Sequence, residues 1–274
     1  MRAFDFTDRD FKRLQKMIFD LAGISLNDSK KAMAYSRLGK RLRKLGYEKF
    51  SAYLDFVEAQ TPTGGDECVH FINALTTNLT YFFREAHHFK ILTDHLLEQY
   101  QSEPLTVWSA ACSTGEEPYS IAMSVIEAFG SDAPPVRIIA SDLDSEVLQT
   151  AAAGVYPMER VEKLPPVQLK RFFQKGAGAQ EGYARIRPQV RRLVEFRQVN
   201  LIGDSWDIEG PLDAIFCRNV MIYFNKTTQK QILQRFAPLL KPSGLLFAGH
   251  SENFFYNAGD TFRIRGRTVY ELAT

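Results

Sequence analysis

The fold is decided by residues 105–129, which read LTVWSAACSTGEEPYSIAMSVIEAF. The apolar run LTVWSAA is typical of a buried strand, and EEPYSIAMSVIEAF has the spacing of a helix. The alternation continues downstream, with strand patterns at 136–142, 194–201, 212–219 and 244–252 and helix patterns at 144–153 and 227–240. Such a series predicts an α/β fold with an open, doubly wound, mostly parallel sheet and helices on both faces.

Two segments depart from this alternation. Residues 155–193 contain Pro157, Pro165 and Pro166, the turn KGAGAQEG and short alternating runs, which predict a small antiparallel insertion. The end of the chain, TFRIRGRTVYEL, has an alternating run on each side of Arg265-Gly266. An antiparallel hairpin that closes the sheet is therefore expected there.

The first eighty residues have helical spacing. One helix is predicted from Thr7 to Gly23 and a second from Ser29 to Gly46, with further helical stretches at 48–59 and 66–75. On the second helix we expect one side to pack inward, through Ala34, Leu38, Leu42 and Leu45. A basic stripe beside it is expected to point outward, formed by Arg37, Lys40, Arg41 and Lys44.

Composition and charge exclude several classes of protein. The chain has 274 residues, 45% hydrophobic and 24% charged, with a net charge of +2, which is typical of a globular protein and excludes a disordered chain. Residues 1–60 hold 13 Lys/Arg and 8 Asp/Glu, a net of +5, so the front of the chain is expected to meet an acidic partner. Neither a signal peptide nor a run of ~20 apolar residues is present, and a cytoplasmic location is expected.

Polar residues follow the predicted strands, at the edge where open α/β sheets bind ligands. The turn after the first strand has one glycine and leads into Glu116-Glu117, so it is a poor phosphate site and suits a cationic or uncharged nucleoside. Asp142 ends the second strand, where a carboxylate either binds ribose hydroxyls or caps the next helix. Asn200 and Arg218-Asn219 follow the later strands.

Other chemistries lack their motifs. The chain has no G-x-S-x-G elbow and no P-loop, which argues against a hydrolase of that fold and against nucleotide triphosphate chemistry. The histidines have no second ligand at metal spacing and the three cysteines are far apart, so no metal site is expected. Cys217 follows Phe216 in an apolar strand and is expected to be a core residue rather than a nucleophile.

Five strings in the chain are distinctive: Ala74 to Thr80 (ALTTNLT), Phe82 to Glu85 (FFRE), Ser113 to Ser120 (STGEEPYS), Phe216 to Phe224 (FCRNVMIYF) and Gly249 to Glu252 (GHSE). Together they resemble the CheR family of chemotaxis receptor methyltransferases, in the family's order across roughly residues 8–272. The resemblance implies a methyltransferase that uses S-adenosylmethionine, releases S-adenosylhomocysteine and esterifies glutamates of chemoreceptors. It also implies a helical domain at 1–77, a linker at 78–86, and a methyltransferase domain at 87–274 with a β-subdomain at about 156–193.

The resemblance also implies roles for single residues. Asn78, Thr80 and Arg84 would reach the cofactor from the linker. The remaining cofactor contacts would come from strand ends, through Glu117, Asp142, Asn200, Leu201, Arg218 and Asn219. Tyr223 would lie near the transferred methyl, and Arg84 would pair with a carboxylate, either the cofactor's or the substrate's. Some family members also bind a receptor C-terminal peptide at the β-subdomain, here expected along 178–196 near Gly178, Gly182 and Arg187.

The residue types agree with this chemistry but leave two alternatives. A glutamate has a pKa of about 4.3, so it is already an ionised nucleophile at neutral pH and needs no general base. The basic stripe would also suit a nucleic-acid methyltransferase, although the chain lacks the [DN]-P-P-[YFW] string of N-methylating enzymes. A sensor that binds the cofactor without transferring a methyl is the other alternative.

Overall fold

The structure is a computed structural model that describes residues 4–61, 65–254 and 259–273. The chain divides into two compact units. The first comprises Met1–Thr77 with Tyr223–Thr228 and is called the helical unit here. The second comprises Asn78–Ile222 with Gln229–Thr274 and is called the α/β unit.

The helical unit contains four α-helices in its first 77 residues, among those described. They are α1 Asp8–Ala22, α2 Lys31–Leu45, α3 Phe50–Gln60 and α4 Asp66–Leu75. The predicted ends of α1 are confirmed: Thr7 and Asp10 form a capping box, and Gly23 ends the helix in the left-handed conformation.

The predicted start of α2 is wrong by two residues. Ser29 lies within a 3-10 helix, Asp28–Lys30, and its hydroxyl donates to Asn27 Oδ1 at 2.5 Å instead of accepting a helix N–H. The predicted apolar side is right for Ala34, Leu38 and Leu42, which are buried. Leu45 is 40% exposed, so the last turn of α2 extends beyond the packed region.

The described residues of the α/β unit form ten strands. In chain order they are β1 Leu105–Ser109, β2 Val136–Asp142, β3 Val155–Pro157, β4 Phe173–Lys175, β5 Tyr183–Ile186, β6 Val194–Gln198, β7 Leu212–Cys217, β8 Leu240–Ala248, β9 Phe262–Gly266 and β10 Val269–Leu272. Seven of them form one sheet in the order β6-β2-β1-β7-β8-β10-β9. Its first five strands are parallel and the terminal hairpin is antiparallel, which confirms the predicted fold class.

The helices that follow are α5 His87–Gln99, α6 Glu116–Phe129, α7 Ser145–Ala153, α8 Met158–Val161, α9 Pro166–Phe172, α10 Pro188–Arg191 and α11 Lys226–Phe236. The sequence pattern had predicted α6 with the same bounds but had not revealed α5. No helix in the described parts of the chain is both long and apolar enough to cross a membrane.

The predicted antiparallel insertion is present as a second sheet of three strands, in the order β3-β5-β4. Its middle strand β5 pairs with β3 on one side and β4 on the other. The receptor peptide expected along 178–196 therefore cannot add as a strand to Tyr183–Ile186, because both sides of that strand are already paired.

The strand order indicates where a ligand would bind. The chain runs from β1 outward through β2 to β6 on one side, and from β7 to β8 on the other, so the order reverses between β1 and β7. Ligands of open parallel sheets lie outside the carboxyl ends of the strands at such a switch point. The turn after β1 and the residue after β7 lie at that position.

Candidate active site

The turn between β1 and α6 packs closely against its neighbours. Gly115 has φ of 94°, in the left-handed region, and an added Cβ would lie 2.8 Å from Ala151 Cβ and 2.9 Å from Tyr156 Oη. Tyr156 in β3 donates to the Thr114 carbonyl at 2.7 Å. Since glycine alone has this conformation without strain and leaves this space, the shape of the turn depends on Gly115.

The first turn of α6 is acidic. Glu116 is fully buried, pairs with Arg160 at 2.9 Å and accepts from the Thr114 hydroxyl at 2.6 Å. Burial raises the pKa of Glu116, and the Thr114 hydroxyl and Arg160 oppose that shift. Arg160 also donates to the Thr80 carbonyl at 3.1 Å, so one side chain ties the segment before α5 to the start of α6.

Glu117 belongs to a row of three charged side chains, which we call the Glu85–Arg218–Glu117 row. One oxygen of Glu117 accepts from the Ser109 hydroxyl at 2.7 Å, and the other pairs with Arg218 at 2.9 Å. Arg218 is 1% exposed at its side chain and also pairs with Glu85 at 3.2 Å. Burial raises the pKa of Glu117, and Arg218 opposes that shift.

Asp142 lies at the carboxyl end of β2, beside the turn after β1. Its two oxygens accept from the backbone N–H groups of Ser113 at 2.8 Å and Asp144 at 3.0 Å. Burial raises its pKa to about 6. The helix cap is Asp144, which accepts from Glu146 N and Val147 N. The alternative that Asp142 caps α7 is therefore wrong, and its carboxylate can still accept a hydrogen bond from a ligand hydroxyl.

The segment before α5 contributes Asn78, Thr80 and Arg84. Asn78 Nδ2 donates to Asp144 Oδ2 at 2.8 Å, and its carbonyl accepts from the Ser113 hydroxyl at 3.2 Å. The Arg84 guanidinium donates to the Leu79 carbonyl at 2.8 Å and lies 5.7 Å from the Tyr81 ring centroid. Within residues 65–254 no carboxylate pairs with the Arg84 guanidinium.

The residues after β6 and β7 complete this edge of the sheet. Val199 N donates to the Asp142 carbonyl at 3.0 Å, which places Asn200 and the buried Leu201 next to the end of β2. Asn219 has φ of 61° and donates its N–H to Glu252 at 2.9 Å. Tyr223 belongs to the helical unit, where its carbonyl accepts from Ser25 N at 2.8 Å.

Sequence reasoning had assigned no role to Glu85, Arg160 and Glu252. Glu252 is buried and accepts backbone N–H groups from Asn219, Met221 and Gly249, so it holds the loop after β7. Glu85 and Glu252 were visible as charges inside the quoted strings FFRE and GHSE. No pattern pointed to Arg160, which lies in an insertion distant in sequence.

The basic stripe of α2 does not point outward as a whole. Arg41 forms an ion pair with the buried Glu67, and Arg37 donates to the Thr76 carbonyl at 2.5 Å. The expectation is therefore wrong for these two residues, because α4 lies close enough to pair with them. Lys40 and Lys44 are exposed, as expected.

The chemistry of this edge fits a cationic nucleoside. Glu117 lies at the switch point and Asp142 at the neighbouring end of β2, and both are carboxylates that attract a positive charge or accept hydrogen bonds from hydroxyl groups. Phosphate is disfavoured because Glu116 and Glu117 occupy the helix N-terminus that would otherwise bind it. In the described residues no cluster of His, Cys, Asp and Glu has the arrangement of a metal site.

Comparisons with known proteins agree with this geometry. A family model described as "CheR methyltransferase, SAM binding domain" matches residues 78–270, and "CheR methyltransferase, all-alpha domain" matches residues 9–76. Chemotaxis protein methyltransferase 2 of Pseudomonas aeruginosa is 52% identical, over 99% of this chain and 96% of that protein. The chemotaxis protein methyltransferases of Salmonella typhimurium and Escherichia coli are 51% and 50% identical, over 97% of this chain and 91% and 92% of theirs.

The sheet, its acidic switch point and these matches define an S-adenosylmethionine-dependent methyltransferase. The family models together cover nearly the whole chain, and the relatives match it almost end to end. This chain belongs to the CheR methyltransferase family.

Proposed function

We propose that this protein transfers a methyl group from S-adenosylmethionine to glutamate carboxylates in the cytoplasmic domains of chemoreceptors. The observation that carries the proposal is a pair of carboxylates at the carboxyl ends of neighbouring strands, Glu117 after β1 and Asp142 at the end of β2, which suits a sulfonium nucleoside. The relatives named chemotaxis protein methyltransferases support the receptor as substrate. The proposal places the protein in the cytoplasm, on the side of the membrane where those domains lie.

The reaction needs positioning more than proton transfer. The cofactor supplies an electrophilic methyl group on a sulfonium, and an ionised glutamate is already a nucleophile. The buried His88 next to the site is hydrogen-bonded to the Thr268 hydroxyl, and burial lowers its pKa to about 3. Its imidazole is therefore too weakly basic to serve as a general base at neutral pH. The protein's contribution is to align the two groups and to exclude water from the carboxylate.

Each predicted contact has a chemical role in this proposal. Asp142 accepts hydrogen bonds from the ribose hydroxyls, and Glu117 accepts hydrogen bonds from the cofactor ammonium group. Arg84 pairs with a carboxylate, and Tyr223 lies near the transferred methyl. The other cofactor contacts are Asn78, Thr80, Asn200, Leu201, Arg218 and Asn219.

The test is a transfer assay with methyl-labelled S-adenosylmethionine and receptor-containing membranes. We expect label that is released as volatile methanol in mild base, because glutamyl methyl esters hydrolyse under these conditions. Transfer to nucleic acid without base-labile label would instead identify a nucleic-acid methyltransferase. Binding of cofactor without any transfer would identify a sensor.

Replacing Asp142 by alanine is expected to weaken binding of S-adenosylhomocysteine by tenfold or more. One or two charge-assisted hydrogen bonds are lost, each worth about 1.5–3 kcal/mol. Titration calorimetry measures the effect. A folded variant with the parent's Kd would remove Asp142 from the site.

The same residue predicts a pH dependence of binding. Its pKa of about 6 means that Asp142 becomes protonated in the free protein as pH falls from 7 to 5, and a protonated oxygen no longer accepts two hydrogen bonds. Affinity for S-adenosylhomocysteine is therefore expected to fall over that range, by at most about tenfold per pH unit for one proton. The Asp142→Asn variant lacks this titrating group, so it should bind S-adenosylhomocysteine more weakly and with a smaller dependence of affinity on pH. Glu117 can titrate in both proteins, so some pH dependence remains in the variant.

We propose that Lys40 and Lys44 on the exposed face of α2 guide an acidic receptor helix. Exposed ion pairs act mainly on encounter and orientation, so the double variant Lys40→Glu with Lys44→Glu should lower kcat/KM for receptors by about three- to tenfold at low salt. Affinity for S-adenosylhomocysteine should not change. Lys12→Glu with Lys230→Glu gives the same net-charge change at exposed sites elsewhere, and an equal loss in that control would contradict the proposal.

We also propose that a receptor C-terminal peptide docks at the small sheet, as an added strand on an outer edge. Of the predicted contacts along 178–196, Gly178 and Gly182 have positive φ and open space around them, and Arg187 donates to the Phe173 carbonyl at 3.0 Å. The edges open to such a strand belong to β3 and β4, since β5 is paired on both sides. Amide signals of Phe173–Lys175 or Val155–Pro157 should shift in an NMR titration with tail peptides, and unmoved signals in both strands would contradict this docking.

A further inference from the structure

Glu85 connects three segments that lie far apart in the sequence. Its Oε1 accepts the backbone N–H of His250 at 3.0 Å, and its Oε2 pairs with Arg218 at 3.2 Å. Arg218 also donates to the Arg84 carbonyl at 2.5 Å and pairs with Glu117 on its other side. Arg218 thus bridges Glu85 and Glu117.

The row carries a net negative charge on side chains that are largely buried. Its members are two carboxylates and one guanidinium, with side chains that are 12%, 12% and 1% exposed. The Phe89 and Phe216 ring centroids lie 6.0 Å and 5.9 Å from the Arg218 guanidinium carbon. His88 lies 3.6 Å from Glu85 but is neutral, since burial lowers its pKa to about 3, so it does not cancel that charge.

The backbone around Glu85 is held in an uncommon conformation. Phe83 and Glu85 have φ of 54° and 57°, in the left-handed region that side chains disfavour. Such conformations persist where surrounding contacts stabilise them, and here the Phe83 N–H donates to the Ser120 hydroxyl at 2.9 Å. The segment is therefore built to place the Glu85 carboxylate against Arg218.

We propose that Glu85 is a positioning residue for the cofactor, acting through Arg218 on Glu117 and giving the row the second negative charge that favours a cationic ligand over a neutral one. This inference rests on the proposed placement of the cofactor at Glu117. If Arg218 were paired with Glu117 alone, the two charges would cancel. With Glu85 present, a net negative charge remains, and in a site of low dielectric it attracts the sulfonium.

The test compares two ligands in the full-length protein without receptor. S-adenosylhomocysteine has a neutral thioether, whereas sinefungin has an amine, protonated at pH 7, in place of the methylsulfonium. Calorimetry at pH 7 gives the ratio of their dissociation constants. For Glu85→Gln we expect both ligands to bind more weakly, with an additional loss of about fivefold for sinefungin. Glu85→Asp, which keeps the charge on a shorter side chain, should bind both more weakly but restore the parent's ratio.

Asp213→Asn is the matched control. Asp213 is a buried carboxylate that pairs with Lys241 at 2.7 Å and accepts from Thr106 N, at the opposite edge of the same sheet. That variant should lose stability without any change in either dissociation constant. A Glu85→Gln protein with the parent's ratio would overturn the inference, as would a Glu85→Asp protein whose ratio matches that of Glu85→Gln. If the ratios of dissociation constants come out as expected but the protein does not methylate receptors, only the proposed function is overturned.

Discussion

Replacing Arg41 by alanine is expected to lower the free energy of unfolding by about 3–5 kcal/mol, because a buried carboxylate would lose its ion-pair partner. Glu67 is 5% exposed, and Arg41 Nε donates to its Oε1 at 3.0 Å while the second guanidinium nitrogen pairs with Oε2. In the variant, Tyr53 Oη remains as a donor to the carboxylate, at 2.8 Å. One neutral donor does not replace a guanidinium.

Urea unfolding followed by circular dichroism measures this loss, and Arg43→Ala is the matched control. Arg43 lies on the same helix, is exposed, and has its guanidinium carbon 5.7 Å from the Phe4 ring centroid. That change should cost less than about 1 kcal/mol. Arg41→Leu combined with Glu67→Leu should recover much of the loss, since no unpaired charge is left. Equal losses for Arg41→Ala and Arg43→Ala would show that the ion pair does not stabilise the helical unit.

Replacing Gly115 by alanine is expected to abolish cofactor binding and to destabilise the protein by about 2–5 kcal/mol. The left-handed conformation costs an alanine about 1–2 kcal/mol, and overlap in a packed region adds about 1–3 kcal/mol. The new methyl would lie 2.8 Å from Ala151 Cβ, so the turn after β1 would have to move. Calorimetry with S-adenosylhomocysteine and thermal unfolding measure the two effects.

Gly130 at the other end of α6 separates strain from overlap. It has φ of 61°, and an added Cβ would have no atom within 4 Å. Gly130→Ala should therefore cost only the backbone strain and leave the affinity for S-adenosylhomocysteine unchanged. If Gly115→Ala binds the cofactor as well as Gly130→Ala does, the turn does not form the site.

The sequence predicted those parts of the fold that depend on local pattern. The bounds of β2 follow from the strand pattern VRIIASD, and those of α6 from helical spacing that stops before Gly130. The position of Asp142 at a strand end followed from the same pattern. Its pKa did not, because it depends on burial by segments far away in the chain.

Side chains whose partners lie far away in the sequence could not be placed. Helical periodicity put Arg37 and Arg41 on a polar face, but Glu67 is 26 residues from Arg41, and nothing in α2 reveals that α4 packs there. The sequence pattern gives Glu85 no role, because its partner Arg218 follows β7 and is far away in the sequence. Local pattern gives the faces of an element and not the identity of its neighbours.

The Glu85–Arg218–Glu117 row has a consequence for synthesis and folding. Arg218 and Glu117 are 101 residues apart, and His250 and Glu85 are 165 residues apart. Contacts of such long sequence separation form slowly, because the chain between them must be ordered first. Until the residue after β7 has been made, a growing chain has the acidic start of α6 but not the Arg218 guanidinium that balances Glu117. A product truncated before residue 218 therefore cannot build the row.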